Sequence, residues 1–141
     1  MSEAAQEVVV VVDDEEMVLT SIRSFLELET DYDVVTFSKP AEALEFLEAN
    51  DVDLVISDYF MPEMDGMEFI RRAADLDTPP ALMILSGHDT ALMDSVERMG
   101  KAYGLRMVGS ARKPLTRDRL AAALAALSAS TPTAPALAEA D

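Results

Sequence analysis

The 141-residue sequence predicts a doubly wound α/β domain, in which helices cover both faces of a parallel five-stranded sheet. Two observations lead to this fold class. Five short apolar runs alternate with five segments whose apolar residues recur at helical spacing, and such alternation favours right-handed crossovers between parallel strands. The first run, Val8–Val12, contains only valine, which is typical of a strand buried on both faces.

The first four elements follow from apolar periodicity and from one proline. Val8–Val12 is the first predicted strand, and residues 17–28 form a helix because their apolar positions recur every three or four residues. Residues 33–37 are the second strand. Pro40 begins the second helix, over residues 40–47, since proline is favoured at a first helical position.

The middle of the chain repeats the pattern. Residues 52–57 are the third predicted strand, and a Met-Pro-Glu-Met-Asp-Gly loop separates it from a helix over residues 67–74. After Pro79 and Pro80 comes the fourth strand, residues 81–85. A helix over residues 90–103 then ends before Gly104, a residue that commonly terminates helices.

The last strand and helix complete the predicted domain. Residues 106–109 are the fifth strand, and residues 116–127 form a helix with leucines 120, 124 and 127 on one stripe. Residues 8–127 therefore form one domain, preceded by a short extension, residues 1–7. Residues 128–141 are rich in alanine, proline, serine and threonine, which predicts a flexible tail or linker.

Composition excludes several functional classes. Acidic residues outnumber basic ones 27 to 11, for a net charge of -16, so we expect no direct binding to nucleic acid. The absence of cysteine excludes disulfides, thiolate zinc sites and cysteine nucleophiles. No apolar run approaches the ~18 residues of a membrane span, and the acidic N-terminus is unlike a secretory signal. We therefore expect a cytoplasmic protein that does not enter a membrane.

Charge is unevenly distributed along the chain. The stretch from residue 101 to residue 119 holds six of the eleven basic residues and one acidic residue, a net +5, whereas the remainder carries -21. An ordinary solvated surface would explain this stretch. A docking face near the C-terminus is the alternative interpretation.

Polar side chains at the ends of the predicted strands indicate where chemistry takes place. Asp13 and Asp14 follow strand one, Asp58 follows strand three, Ser86 follows strand four and Lys113 follows strand five. In a doubly wound sheet all of them face one crevice. Crowded carboxylates repel one another unless a cation is present, and Mg²⁺ prefers a few carboxylates together with water. Carboxylates, a metal, a hydroxyl and an ammonium suit phosphoryl transfer.

Each of these residues also has a simple structural explanation. An acid after a strand often caps the next helix, which would account for Asp13, Asp14 or Asp58 taken singly. Ser86 before Gly87 is ordinary turn chemistry. The coincidence of all of them at strand ends is what favours a site.

The motifs resemble those of the receiver domains of bacterial two-component response regulators. The likeness is carried by Val-Val-Asp-Asp-Glu at residues 11–15, by the segment from Asp53 to Gly66 that contains Asp-Tyr-Phe-Met-Pro-Glu-Met-Asp-Gly, by Leu-Ser-Gly at 85–87 and by Lys-Pro at 113–114. It extends over nearly the whole predicted domain. The resemblance implies a flavodoxin-like (βα)5 fold with strand order 2-1-3-4-5.

The resemblance also implies roles for the residues at the strand ends. Asp58 would accept a phosphoryl group from a histidine kinase or a phosphotransfer protein. Asp13 and Asp14 would bind Mg²⁺ together with Asp58 and the backbone carbonyl of Phe60. Ser86 would bond a phosphoryl oxygen, and Lys113 would pair with the phosphoryl group. The bond between Lys113 and Pro114 would be cis, an isomer that X-Pro bonds adopt at small cost.

One position departs from the family pattern, and two others imply tuning. Receivers carry tyrosine or phenylalanine three residues before the lysine, where this chain has Ser110. Either other groups, with Tyr103 or Met107 as candidates, take over the switch, or the output surface lies elsewhere. Phe60 and His88 would flank the path of the water that hydrolyses the phosphoryl group, although an exposed loop histidine explains His88 equally.

We therefore expect a signalling phosphoacceptor rather than a turnover enzyme, whose partners are a kinase and an unidentified output domain or protein. Phosphorylation-dependent homodimerisation is a further expectation. Residues 79–114 are similar to receivers joined to cyclic di-GMP phosphodiesterase domains. A receiver-like interaction module that ignores phosphorylation is the alternative. A magnesium-dependent phosphatase is disfavoured, because enzymes resembling haloacid dehalogenases place Asp-x-Asp after strand one, whereas Asp13 and Asp14 are adjacent.

Overall fold

The computed structural model describes residues 7–87 and 90–129, which form five strands alternating with five helices. In chain order the elements are β1 (Val8–Val12), α1 (Glu16–Glu29), β2 (Asp33–Phe37), α2 (Pro40–Ala49), β3 (Leu54–Asp58), α3 (Gly66–Ala74), β4 (Ala81–Ser86), α4 (Thr90–Ala102), β5 (Met107–Arg112) and α5 (Arg117–Ala129). The terminal segments assigned to an extension and to a tail lie largely outside the described residues.

The strands form one parallel sheet in the order β2-β1-β3-β4-β5, so the predicted fold class and strand order are confirmed. In register, Val12 at the end of β1 lies between Phe37 of β2 and Ser57 of β3. Asp58 is opposite Leu85 of β4. The carboxyl ends of the strands therefore meet at one edge of the sheet, which we call the carboxyl edge.

Two apolar clusters, one on each face of the sheet, form the core. The side chains of Val10 and Val12 belong to one cluster, and those of Val9 and Val11 belong to the other. This division follows from the alternation of side chains along a strand. Because helices cover both faces, β1, β3 and β4 are buried almost throughout, whereas the edge strands β2 and β5 are half-buried.

The bounds of two strands differ from those predicted from the sequence. β3 begins at Leu54, not at residue 52, because the backbone and side chain of Asp53 are tied to Val8: the Val8 amide donates to Asp53 Oδ2 at 2.8 Å. β5 runs from Met107 to Arg112 rather than over residues 106–109. Its pairing with β4 shifts between Leu82 and Met83, and the bulge holds Gly109 at φ 152°, a conformation that favours glycine.

The helices begin or end within two residues of the predicted bounds, and α5 continues to Ala129. In the part of the chain that the structure describes, no helix has both the length and the apolar character needed to cross a membrane.

Candidate functional site

The carboxyl edge places the predicted site residues together. Asp13 directly follows β1, and its backbone amide donates to the carbonyl of Phe37 at 3.1 Å. Asp58 is the last residue of β3 and Ser86 is the last residue of β4. The side chains of three of these residues are buried, namely Asp13, Asp58 and Ser86. Burial is unusual for polar side chains and indicates that their surroundings compensate them.

The Asp13 carboxylate is fully buried and only partly satisfied. Its Oδ1 accepts a hydrogen bond from the Glu15 amide at 2.9 Å. Its Oδ2 forms an ion pair with Lys113 Nζ at 2.7 Å, but no described group donates to it with hydrogen-bond geometry. Burial raises the pKa of Asp13, and the charge of Asp58 adds to this effect, although Lys113 and the Glu15 amide oppose it.

Asp58 is 5% exposed, so a small part of its surface is open to solvent. The amide of Phe60 donates to its Oδ1 at 3.3 Å, and Lys113 Nζ donates to its Oδ2 at 3.0 Å. The Asp58 carboxylate is thus held in one orientation by the backbone of the following loop and by the Lys113 ammonium.

Lys113 lies beyond the end of β5, where its backbone amide donates to the carbonyl of Ser86 at 2.8 Å. Its ammonium contacts the carboxylates of Asp13, Asp58 and Glu15, the last at 3.2 Å. Burial alone would lower the pKa of Lys113, but the contacts with Asp13 and Asp58 outweigh burial and raise it. The ammonium is therefore a fixed positive charge. The peptide bond between Lys113 and Pro114 is cis.

The carboxylates of Asp13, Asp14 and Asp58 could hold a metal ion. Among the described residues, one oxygen from each lies within 4.8 Å of the others, and the Asp14 side chain is exposed. The buried Asp13 Oδ2 atom lies 2.7 Å from the Lys113 ammonium, so this oxygen already faces a positive charge. An all-oxygen donor set with one solvent-exposed side matches the preference of Mg²⁺ for a few carboxylates and retained water.

The loop after β3 is fixed at its two ends. At one end the Tyr59 amide donates to the carbonyl of Leu85 at 2.9 Å, and at the other the Asp65 side chain caps α3 by accepting from the Glu68 amide. The Tyr59 ring packs so closely on Gly66 that a β-carbon there would lie 2.1 Å from the ring. Phe60 is 51% exposed, and its ring meets that of Tyr59 edge-on.

The roles of Glu15 and of the contact between Tyr59 and Gly66 were not predicted from the sequence. The run of three acids, residues 13–15, was a signal for Glu15, but its reach to Lys113 depends on the tertiary fold. The Asp-Gly pair at 65–66 indicated that a glycine is needed at residue 66. Nothing in the sequence identifies Tyr59 as the residue whose ring fills the space beside Gly66.

The predicted tuning residues are dispersed. Ser110 lies on β5, and its carbonyl accepts from Arg119 at 3.4 Å. Tyr103 is 43% exposed after α4, and the Met107 side chain packs against Gly100. His88 lies outside the described residues.

Comparisons with known proteins agree with this geometry. The response regulator receiver domain family matches residues 9–125. The chain is 36% identical over 94 residues to the cyclic di-GMP phosphodiesterase response regulator RpfG of Xanthomonas campestris pv. campestris (strain 8004), covering 63% of this chain and 25% of that protein. It is 31% identical over 99 residues to the alkaline phosphatase synthesis transcriptional regulatory protein PhoP of Bacillus subtilis (strain 168), covering 70% and 38%. The chain thus spans well under half the length of these relatives.

Solved structures are similar over most of their length. A response regulator from Colwellia psychrerythraea is 30% identical, with a TM-score of 0.73 and coverage of 89% of this chain and 98% of that one. The chemotaxis protein CheY4 of Vibrio cholerae is 26% identical, with a TM-score of 0.72 and coverage of 87% and 99%.

Proposed function

Because the chain belongs to the response regulator receiver domain family, we propose that Asp58 accepts a phosphoryl group from a histidine kinase or a phosphotransfer protein. The observation that carries the proposal is the position of Asp58. Its carboxylate is buried at the carboxyl edge between the Lys113 ammonium, 3.0 Å away, and the oxygens of Asp13 and Asp14. Asp13 is also buried and also contacts Lys113, but Asp58 is the last residue of a central strand and is 5% exposed, whereas Asp13 is 0% exposed.

In the proposed step a carboxylate oxygen of Asp58 attacks the phosphorus atom of the donor. A carboxylate oxygen–phosphorus bond forms and the donor's nitrogen–phosphorus bond breaks, and the bonding electron pair leaves with the donor nitrogen. Lys113 then balances negative charge beside Asp58, which it already contacts. Ser86, at the end of the adjacent strand β4, is the candidate hydroxyl for a phosphoryl oxygen.

Asp13, Asp14 and Asp58, with the backbone carbonyl of Phe60, are the groups we assign to Mg²⁺. When bound, the ion would supply positive charge to the phosphoryl oxygens. The convergence of three carboxylate oxygens within 4.8 Å of one another, two of them from buried residues, supports this assignment.

The receiver family consists of signalling phosphoacceptors rather than turnover enzymes. We propose that phosphorylation of Asp58 biases the chain between two surface conformations, with a coupling free energy of about 1–3 kcal/mol, and that the favoured surface controls an output domain or a separate partner. The similarity to RpfG supports a cyclic di-GMP phosphodiesterase domain as the output. A cytoplasmic location and phosphorylation-dependent homodimerisation belong to the same proposal.

Intact-mass measurement tests the proposal directly. The chain is incubated with Mg²⁺ and acetyl phosphate, alongside the Asp58→Asn variant and a matched Asp75→Asn variant at an exposed position. We expect one phosphoryl group on the wild type and on Asp75→Asn and none on Asp58→Asn. Equal labelling of the Asp58→Asn variant would exclude Asp58 as the acceptor.

A second candidate function is a receiver-like interaction module that does not respond to phosphorylation. Ser110, at the position where the family carries an aromatic residue, is the observation that favours it. Failure of acetyl phosphate labelling, together with no spectroscopic change on addition of beryllofluoride and Mg²⁺, would support this module over the phosphoacceptor.

A further inference from the structure

A groove lies between the C-terminal ends of α2 and α3. These helices end shortly before β3 and β4 begin, so the groove is at the edge of the sheet opposite the carboxyl edge. It consists of two adjoining cavities of about 520 and 220 Å³, whose linings share Glu48, Asp75 and Leu76. We call it the α2–α3 groove. No residue that we assign to phosphoryl transfer or to Mg²⁺ lines either cavity, so the groove is separate from the site described above.

The floor of the α2–α3 groove is apolar. Leu44 and Leu47, on the inner face of α2, are 4% and 5% exposed, and Leu76, just after α3, is half-buried. These three leucines belong to or pack against the core and also line the cavities. A ligand that covers such a floor with an apolar side chain gains free energy by removing both surfaces from water.

The rim of the groove is negatively charged. It carries four exposed acidic side chains, namely Glu48, Asp51, Asp75 and Asp77. Among the described residues, none of these four forms an ion pair. The basic residue among the described lining residues is Arg72, which pairs with Glu68 at 3.3 Å. The rim therefore offers carboxylates that a cationic ligand can engage without displacing a partner.

The helix ends add negative charge at the same place. The last carbonyl groups of α2 and α3 carry partial negative charge, and the last turn of α2 has no basic residue, although α3 has Arg71 and Arg72. Asp75 is the C-cap residue of α3, a position where an acidic side chain is unfavourable. The chain thus concentrates negative charge where its own stability gains nothing from it, and a cationic ligand would relieve the repulsion.

We propose that the α2–α3 groove binds a basic peptide segment of a partner protein. One apolar side chain of the segment covers the leucine floor, and lysine or arginine side chains beside it pair with the rim carboxylates. The rim does not suit a bare metal ion, because among the described residues no three of its carboxylates converge. The net charge of -16 disfavours a second copy of the chain and also nucleic acid, since both would be repelled.

This inference goes beyond the proposed function, because the binding needs neither a phosphoryl group nor Mg²⁺. A segment bound at the α2–α3 groove leaves the carboxyl edge accessible to a phosphodonor. The partner and the donor can therefore bind the chain at the same time.

Selection from a displayed random peptide library provides the probe. The library is first depleted on the double variant Glu48→Lys, Asp75→Lys and then selected on the whole wild-type chain at physiological salt. Depletion removes peptides that bind elsewhere, including those attracted to the acidic carboxyl edge. Both substitutions place a cation near a helix C-terminus, which favours the folded helix, so the variant differs in charge and not in fold. We expect the enriched peptides to carry several basic residues around one apolar residue.

Calorimetry with a synthetic copy of the most enriched peptide measures each contribution. Glu48→Lys and Asp75→Lys should each weaken binding about tenfold, and so should serine in place of the apolar residue of the peptide. The matched control Glu27→Lys reverses an exposed acid in the last turn of α1, on the other face of the sheet, and should bind within about twofold of wild type. Asp58→Asn and added Mg²⁺ should leave the affinity unchanged.

Several outcomes would overturn the proposal. A selection that enriches no basic peptide would do so, and equal binding of the serine peptide would show charge attraction without use of the leucine floor. Equal weakening by Glu27→Lys and Glu48→Lys would show that only the overall charge matters. Light scattering that finds a dimer of the unphosphorylated chain, and a monomer of the double variant, would identify a second copy as the occupant. The mass measurement on Asp58 uses other variants, so the two proposals can fail independently.

Discussion

Acidic side chains gather at both edges of the sheet, but the two gatherings differ. At the carboxyl edge, Asp13 and Asp58 are buried and share the Lys113 ammonium, with exposed Asp14 beside them. At the opposite edge the α2–α3 groove lies between the ends of α2 and α3. Its acidic lining residues, which we call the amino-edge acids, are all exposed: Glu48, Asp51, Asp75 and Asp77.

The difference shows that a cluster of acidic residues is not by itself a metal or phosphoryl site. Among the described residues the amino-edge acids do not converge as a group of three carboxylates, and Asp51 Oδ1 simply accepts a hydrogen bond from Thr78 at 3.0 Å. At the carboxyl edge, burial removes solvent from the carboxylates, and a lysine and a metal become the available sources of compensation. The amino-edge acids therefore serve as matched controls for the site.

The largest effect is expected from Lys113→Met, which removes the cation shared by the buried carboxylates. We expect the free energy of unfolding at pH 7 in EDTA to fall by about 3 kcal/mol, because removing one partner of a buried ion pair leaves the other charges buried without compensation. The rate of acetyl phosphate labelling should fall at least about tenfold. Urea unfolding and intact mass measure the two effects. Lys101→Met, at an exposed lysine in α4, should change neither the free energy of unfolding nor the labelling rate. An equal loss of stability in both variants would contradict the difference between the edges.

Asp14→Ala should weaken Mg²⁺ binding about tenfold, because it removes one of the three clustered oxygens while leaving the buried pair in place. Calorimetric titration with MgCl2 measures the dissociation constant. The matched Asp77→Ala variant at the amino edge should titrate as wild type does. An unchanged constant in Asp14→Ala would remove this residue from the metal site.

Asp13→Asn should stabilise the metal-free protein by about 1 kcal/mol, a few degrees in melting temperature. Burial raises the pKa of Asp13 above its unfolded value, so its contribution to stability is favourable below pH 3.8 and is lost as the pH rises through the folded pKa. Above the folded pKa the buried Asp13 carboxylate is therefore a cost that asparagine removes, and Lys113 keeps its contacts with Asp58 and Glu15. Thermal unfolding in EDTA measures the change, which should shrink toward acid pH. A loss of stability at pH 7 would mean that pairing with Lys113 outweighs burial.

The smallest effect is expected from Asp51→Asn. The side chain is exposed and the amide oxygen can still accept from Thr78, so the free energy of unfolding should change by less than about 0.5 kcal/mol. The Mg²⁺ titration should be unchanged. A weaker Mg²⁺ affinity in this variant would show that the amino-edge acids influence the site at long range.

The residues at the carboxyl edge could be predicted because the ends of buried strands are recognisable in the sequence. An apolar run that stops at a polar residue identifies a strand end, and parallel topology brings such ends together. Asp13 and Asp58 follow from this reasoning, whereas Lys113 lies beyond the predicted end of strand five, and the structure brings all three together. Family resemblance added their chemical roles, which stay predictions.

The features that escaped prediction depend on tertiary contacts. Glu15 reaches Lys113 across 98 positions of sequence, and no local pattern encodes that pairing. The limits of β5 were misplaced because the bulge at Gly109 interrupts the alternation on which strand prediction depends. The predicted start of β3 at residue 52 was wrong because Val52 is apolar, as a strand residue would be, but its side chain is buried outside the strand.

The bulge in β5 also bears on how molecules of this chain avoid one another. β5 is the last strand of the sheet, so one side of its backbone has no neighbouring strand to pair with. A flat edge of this kind is a template for strand addition from another molecule, and it leads toward aggregation. The turn of the backbone at Gly109 breaks the regular spacing of amide and carbonyl groups along that edge. A foreign strand at this edge would find only short stretches in register.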